Sequence, residues 1–178
     1  MLNKDTTGLM IVDIQGKLSD LMHDSAAMFT QVQKLIKGAE VLGLPVIWME
    51  QIPSKLGKTR PEIAALLPGQ PYEKHSFSGM QNTEIAKAVQ HTRRKQWLVA
   101  GLESHVCVYQ TVCDLLRSQY EVHLVTDCVS SRVLANKELA IRKMEKLGAH
   151  LTSMELALFE LQRVAEGPEF KQLIQIIK

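Results

Sequence analysis

The feature that most constrains the fold is an end-to-end alternation of short, wholly apolar runs with longer amphipathic stretches. The runs Gly8-Leu-Met-Ile-Val-Asp13, Pro45-Val-Ile-Trp-Met-Glu50, Gln96-Trp-Leu-Val-Ala100 and Val122-His-Leu-Val-Thr126 carry little polar alternation. A strand with one wet face alternates polar and apolar residues, so runs of this kind mark strands buried on both faces, as in parallel sheets. Pro71-Tyr-Glu-Lys74 and Ala149-His-Leu-Thr152 are weaker strand-like runs. Between them, Met28, Val32, Leu35, Ile36, Ala39 and Leu42 recur at helical spacing, with Gly43 as a stop. Further helices are expected over about 83–90, 105–118, 137–147 and 168–176, and in a segment ending near Leu161. Ser78 with Gln81, and Thr152 with Glu155, form capping-box patterns. The segment 51–71 is punctuated by Pro and Gly, with room for one helical turn around 63–67.

Strands alternating with helices predict an α/β fold. The expectation is a three-layer, doubly wound, Rossmann-like domain with a parallel sheet of about six strands in the order 3-2-1-4-5-6. Residues 1–178 read as a single domain, because 178 residues at 46% hydrophobic suffice for one sizeable core. With 21 basic against 19 acidic residues, net charge is +2, which offers no electrostatic case for nucleic acid or an anionic membrane surface. The basic clusters Arg93-Arg94-Lys95 and Lys55-Leu-Gly-Lys-Thr-Arg60 read as solvated loops. No apolar stretch is long enough to span a bilayer, and the N-terminus lacks the apolar region of a secretory signal. Three cysteines without a close pair suit a reducing compartment, so a cytoplasmic location is expected.

The chemistry centres on Trp97-Leu-Val-Ala-Gly-Leu-Glu-Ser-His-Val-Cys-Val108. Gly101 interrupts the strand, Ser104 has the chemistry of an N-cap, and Cys107 then falls in the first helical turn. Unpaired N–H groups and the positive end of the helix dipole favour an anion there, so a lowered thiol pKa and a nucleophilic cysteine are expected. Asp13 ends the first strand. Alone it reads equally as a turn or cap residue, but in the order 3-2-1-4-5-6 strands one and four are neighbours at the switch point. A carboxylate there can act as general base on the thiol. Lys74 ends the third strand-like run; alone it is a surface lysine, whereas beside a carboxylate and a thiolate it holds both anions. Cys113 and Cys128 read as packing residues. His75 and His105 are candidates for the pocket wall, and His123 and His150, within strand runs, read as structural. There is no Cys-x2-Cys, His-Glu-x-x-His, Gly-x-Gly-x-x-Gly or phosphate-binding Gly-rich loop, so neither a metal nor a nucleotide cofactor is indicated.

Asp13, Lys74 and Gly101-Leu-Glu-Ser-His-Val-Cys-Val108, in that order, resemble the isochorismatase-like cysteine hydrolase superfamily. The likeness runs through Ile11-Val-Asp-Ile-Gln15, Met49-Glu-Gln-Ile-Pro53, Val125-Thr-Asp-Cys-Val-Ser-Ser-Arg132 and Gly167-Pro-Glu-Phe-Lys171. These details are most similar to the isochorismatase domain-containing subgroup.

The resemblance implies a catalytic triad of Asp13, Lys74 and Cys107, with no cofactor. It also implies a cis peptide at Leu102–Glu103 that turns the Glu103 N–H inward, to form an oxyanion hole with the N–H of Cys107. Gln15 and Phe77 are candidate substrate-binding walls. The substrate is expected to be a small molecule cleaved at an amide or related carbonyl through a thioester. Retention of the cysteine argues against hydrolysis of isochorismate itself, and the segment 51–71 has neither the Asp nor the His of a metal-binding pyridine amidase. A homo-oligomer is implied too, with the apolar C-terminal helix either forming an interface or closing the core. The alternatives are a non-catalytic protein that binds a metabolite or partner in the same pocket, and a thiol redox role for Cys107, which no Cys-x-x-Cys motif supports.

Overall fold

The computed structural model describes all of Met1–Lys178. Six parallel strands form one sheet in the order β3-β2-β1-β4-β5-β6. They are β1 (Thr7–Val12), β2 (Val46–Gln51), β3 (Tyr72–Lys74), β4 (Gln96–Leu102), β5 (Glu121–Ser130) and β6 (His150–Thr152). The main helices are α1 (Ser25–Val41), α4 (Thr83–His91), α5 (Tyr109–Arg117), α6 (Leu134–Lys146), α7 (Met154–Gln162) and α8 (Gly167–Ile177). The short helices α2 (Pro53–Leu56) and α3 (Pro61–Ala64) occupy the segment expected to hold one turn near 63–67. A 3₁₀ turn at Lys17–Leu21, with no counterpart in the sequence reading, follows β1.

Successive side chains of a strand point to opposite faces, and β1 shows why its run is apolar throughout. Leu9 and Ile11 enter a core shared with Val32, Leu35 and Ile36 of α1, Leu158 of α7 and Leu173 of α8. Met10 and Val12 enter a second core with Ile85 of α4, Val112 of α5 and Met144 of α6. The sheet is therefore covered on both sides. Helix α8 closes the first core, with Leu173 buried and Ile176 and Ile177 packed against it. No helix is long and apolar enough to cross a membrane.

Several local expectations are corrected. Helix α4 is capped by Asn82, whose side chain accepts from the N–H groups of Glu84 and Ile85. Ser78 instead caps the preceding 3₁₀ turn at Gly79–Gln81. Ser153 rather than Thr152 caps α7. In each case the residue adjoining the first helical turn wins, because only its side chain reaches the N–H groups left unpaired there. Gly101 does not end β4 but lies within it, at φ +146°, where an added Cβ would stand 2.1 Å from the Val12 carbonyl oxygen. Strand β5 runs past Thr126 to Ser130, and its pairing with β4 shifts register between Val99 and Gly101.

Candidate active site

The carboxyl ends of β1, β2, β3 and β4 meet around one cavity of about 320 Å³. Asp13, immediately beyond β1, takes a left-handed conformation (φ 53°) that turns the chain out of the sheet. Beyond β4, Glu103 does the same (φ 53°, ψ 63°) and leads into a π-helical turn, Ser104–Val108, which carries Cys107. Single-turn π segments interrupt regular backbone geometry and recur at functional sites. The hydroxyl of Thr111 donates to the Cys107 carbonyl at 2.7 Å and accepts from the Gly79 N–H at 3.0 Å, which fixes this turn against the loop after β3.

The expected cis peptide at Leu102–Glu103 is corrected: the chain has no cis peptide bond, and the left-handed Glu103 makes the turn instead. Ser104 is likewise not a cap; its hydroxyl is buried without a partner. The N–H of Glu103 donates to no acceptor within the chain.

Lys74, the last residue of β3, is 0% exposed. Its ammonium reaches across the end of β2, donating to Asp13 Oδ2 at 2.7 Å and to Gln51 Oε1 at 2.6 Å, with the carbonyls of Ser76 and Phe77 at 3.2 and 3.1 Å. Burial of a charged ammonium is costly unless it is paired and hydrogen-bonded in this way. The other carboxylate oxygen, Asp13 Oδ1, is buried without a hydrogen-bond partner. Asp13 and Cys107 line the cavity together, and the thiol interacts with the carboxyl group. Burial raises the Asp13 pKa, against the lowering influence of the Lys74 charge and hydrogen bond.

Cys107 is 7% exposed. Its thiol is pushed up to about 12, first by burial and then by the negative charge of Asp13, with Lys74 opposing. The expectation of a lowered thiol pKa is therefore corrected. Cys107 lies in the π-helical turn ahead of α5, where desolvation and a neighbouring carboxylate both favour the neutral thiol. The resting state is a protonated sulfur beside a carboxylate of raised proton affinity. Moving the proton from sulfur to Asp13 leaves the net charge of the Lys74–Asp13–Cys107 cluster unchanged, and it removes the carboxylate charge that opposes thiolate formation. The pair thus titrates as a coupled unit.

Other expected residues take different places. Gln15 lines the cavity, but its amide is occupied: Oε1 accepts from the Gln51 N–H at 2.5 Å, and Nε2 donates to the carbonyls of Gln51 and Gly57 at 3.2 and 2.6 Å. It positions Gln51, which in turn holds Lys74. Phe77 stands at the mouth, 53% exposed. His75 and His105 are not among the lining residues. Cys113 is only partly buried, and Cys128 is buried in the first core.

Gln51, Leu18, Leu56 and Arg132 were not foreseen as lining residues. For Gln51 the available signal was a polar residue closing a buried apolar strand. Arg132 Nε donates to Glu103 Oε1 at 2.8 Å at the edge of the cavity. His105 Nδ1 is bonded to Ser131 Oγ at 2.9 Å.

Comparison with known proteins agrees with this architecture. The isochorismatase domain family matches residues 7–155. The secreted isochorismatase effector Isc1 of Phytophthora sojae is 34% identical over 96% of this chain and 83% of its own length. Isochorismatase domain-containing protein 1 of Salmo salar is 32% identical over 97% of this chain, which spans 61% of that protein. Among solved structures, MAR1 ribonuclease from Caenorhabditis elegans superposes with a TM-score of 0.92 at 31% identity, covering 99% of this chain and 91% of that one. YcaC from Escherichia coli, described as an octameric hydrolase of unknown specificity, superposes with a TM-score of 0.93 at 25% identity, covering 99% and 88%. The chain belongs to the isochorismatase family of hydrolases and is similar to its isochorismatase domain-containing members.

Proposed function

We propose that residues 1–178 act as a single cysteine hydrolase domain that cleaves an amide or related carbonyl bond of a small molecule. The observation that carries this reading is the buried Lys74–Asp13 pair, which lines one cavity together with Cys107 and interacts with its thiol. Asp13 takes the thiol proton as the sulfur attacks the carbonyl carbon, and Lys74 compensates the charge of the cluster. The carbonyl π electrons move to oxygen, which is received by the N–H groups of Glu103 and Cys107; one such donor is typically worth about a hundredfold or more in rate. Both residues stand at the cavity wall. Collapse of the adduct breaks the bond to nitrogen, and the protonated Asp13 gives its proton to the leaving amine. Asp13 then activates water, which adds to the Cys107 thioester and releases the acid and the thiol.

The cavity volume, about 320 Å³, and its apolar walls at Leu18, Leu56, Phe77 and Leu102 suit a small, partly apolar substrate. The one basic residue of the lining, Arg132, is paired with Glu103, so ribonuclease activity is not carried over from the nematode protein. Nucleophilic chemistry with three free cysteines fits a reducing, cytoplasmic setting. By analogy with the octameric relative the chain forms a homo-oligomer, a reading that sedimentation analysis tests.

The test is a panel of small primary amides, assayed for ammonia release with quenched samples weighed by intact mass spectrometry. Wild type should turn over at least one member and accumulate an acyl adduct at Cys107, and Cys107→Ala should lose both. Full turnover by Cys107→Ala would refute the scheme.

A further inference from the structure

At the end of the sheet opposite the thiol, β5 and β6 begin side by side and gather two imidazoles and a carboxylate. His123 and His150 are paired in register across the two strands. Their ring centroids lie 4.8 Å apart with planes inclined by 31°. Glu121, two residues before His123, projects from the same face of β5. Its Oε1 lies 2.7 Å from His123 Nε2 and 4.0 Å from His150 Nε2. One donor atom from each of the three residues falls within 4.8 Å of the others. The sequence reading treated both histidines as structural, because partners 27 positions apart become neighbours only through strand register.

His123 lies opposite Leu98, so four residues of β4, about 13 Å at ~3.3 Å per residue, separate this cluster from the end of the strand that leads to Cys107, and the hydrolytic site makes no use of it. Its carboxylate is nevertheless held in place. Gln96 Nε2 donates to Glu121 Oε1 at 3.0 Å, and Gln96 Oε1 in turn accepts from the Thr6 and Thr7 hydroxyls and the Asn3 N–H, each at 3.0 Å. Hydrogen bonds of this kind orient ligating carboxylates in metalloproteins.

Two imidazole nitrogens and one carboxylate oxygen form a donor set for a borderline divalent ion such as zinc, and they suit nickel and copper as well. Around tetrahedral zinc, bonds of ~2.0–2.1 Å place donor atoms about 3.4 Å apart. The observed 2.7 and 4.0 Å lie on either side of that spacing. His123 is buried in the sheet, whereas the side chains of Glu121 and His150 are 39% and 60% exposed and free to adjust.

We propose that Glu121, His123 and His150 bind one zinc-class divalent ion, with a fourth position open to water. The ion would brace the three-residue edge strand β6 to β5, at a place where backbone pairing alone is short. Without an ion, the contact between Glu121 and His123 would only satisfy a buried imidazole, and the two readings part on measurement.

The experiment uses the full chain free of any polyhistidine tag. Zinc is titrated calorimetrically, and cobalt(II) is followed by visible absorption. The expected result is one ion per chain, a cobalt spectrum without a thiolate charge-transfer band, and a melting temperature raised by zinc. His150→Ala and Glu121→Gln, both at solvent-facing side chains, should fold by circular dichroism yet lose about tenfold or more in affinity. Cys107→Ala should bind as wild type does. Absence of stoichiometric binding, unchanged affinity in His150→Ala, or loss of binding in Cys107→Ala together with a thiolate band in wild type would each overturn the proposal.

Discussion

Asp13→Asn should make the Cys107 thiol easier to ionise while making the protein a worse catalyst. In the wild type the thiol is moved from 9.0 to about 12. At neutral pH that leaves roughly one molecule in 10⁵ as simple thiolate, against about one in 100 for the unshifted group. Burial is unchanged by the substitution, but the second raising influence disappears and the Lys74 charge loses its counter-ion. At an effective dielectric of about 20, a unit charge roughly 4–6 Å away is worth about 3–4 kcal/mol, or some two to three pK units. Asn also tolerates the left-handed backbone at this position (φ 53°), so the turn itself should persist, and Gln51 and the carbonyls of Ser76 and Phe77 remain as partners for the Lys74 ammonium. The assay is the rate of iodoacetamide labelling at Cys107 against pH, read by peptide mass spectrometry with Cys113 as internal reference. Wild-type labelling should still be climbing at pH 10, and the midpoint in Asp13→Asn should fall by about two pH units or more. Hydrolysis in the same variant should drop by about 10²–10⁴-fold, the usual worth of a general base. A midpoint that stays or rises would refute the electrostatic account, and retained hydrolysis would remove Asp13 from the mechanism.

Lys74→Met leaves a buried carboxylate uncompensated and should cost about 3–5 kcal/mol in urea denaturation at pH 8. Because burial raises the Asp13 pKa, its contribution to stability is fully present below the ordinary carboxylate range and is lost as pH rises through the raised value. Removing Lys74 raises that value further, so the deficit should be smaller at pH 5 than at pH 8. An equal deficit at both would contradict this. Gly101→Ala places a methyl group 2.1 Å from the Val12 carbonyl oxygen at a backbone φ of +146°, forcing β1 and β4 apart beside the cavity. It should destabilise by about 1–3 kcal/mol or more and depress hydrolysis, and a variant with wild-type melting would show that the strand junction yields freely.

What was legible in the amino-acid order follows from short-range rules. Apolar runs on β1, β4 and β5 report burial on both faces, because period-two alternation disappears only when both faces are covered. Right-handed crossovers restrict the ways of ordering such strands. That order places Asp13 next to the turn that carries Cys107, and it sets Lys74 two strands out from β1, beyond β2 and within reach of a long side chain. Residue type and strand end brought the three side chains to one rim of the sheet, and the family resemblance implied their reading as a triad.

The remainder depended on through-space terms that no local pattern carries. Whether Cys107 is acidified by a helix start or suppressed by burial is a contest of desolvation and charge, decided by the residues packed around it. The part played by Gln15 turned on which carbonyls lay within its reach, and Gln51 became a support for Lys74 only when β2 was seated between β1 and β3. The turn at Glu103 and the caps at Asn82 and Ser153 were set by backbone dihedrals. His150 joined Glu121 and His123 only through parallel register. Residue chemistry and hydrophobic periodicity act locally and can be read in order along the chain. Desolvation, charge proximity and strand register depend on the packed whole, and only the tertiary structure decided them.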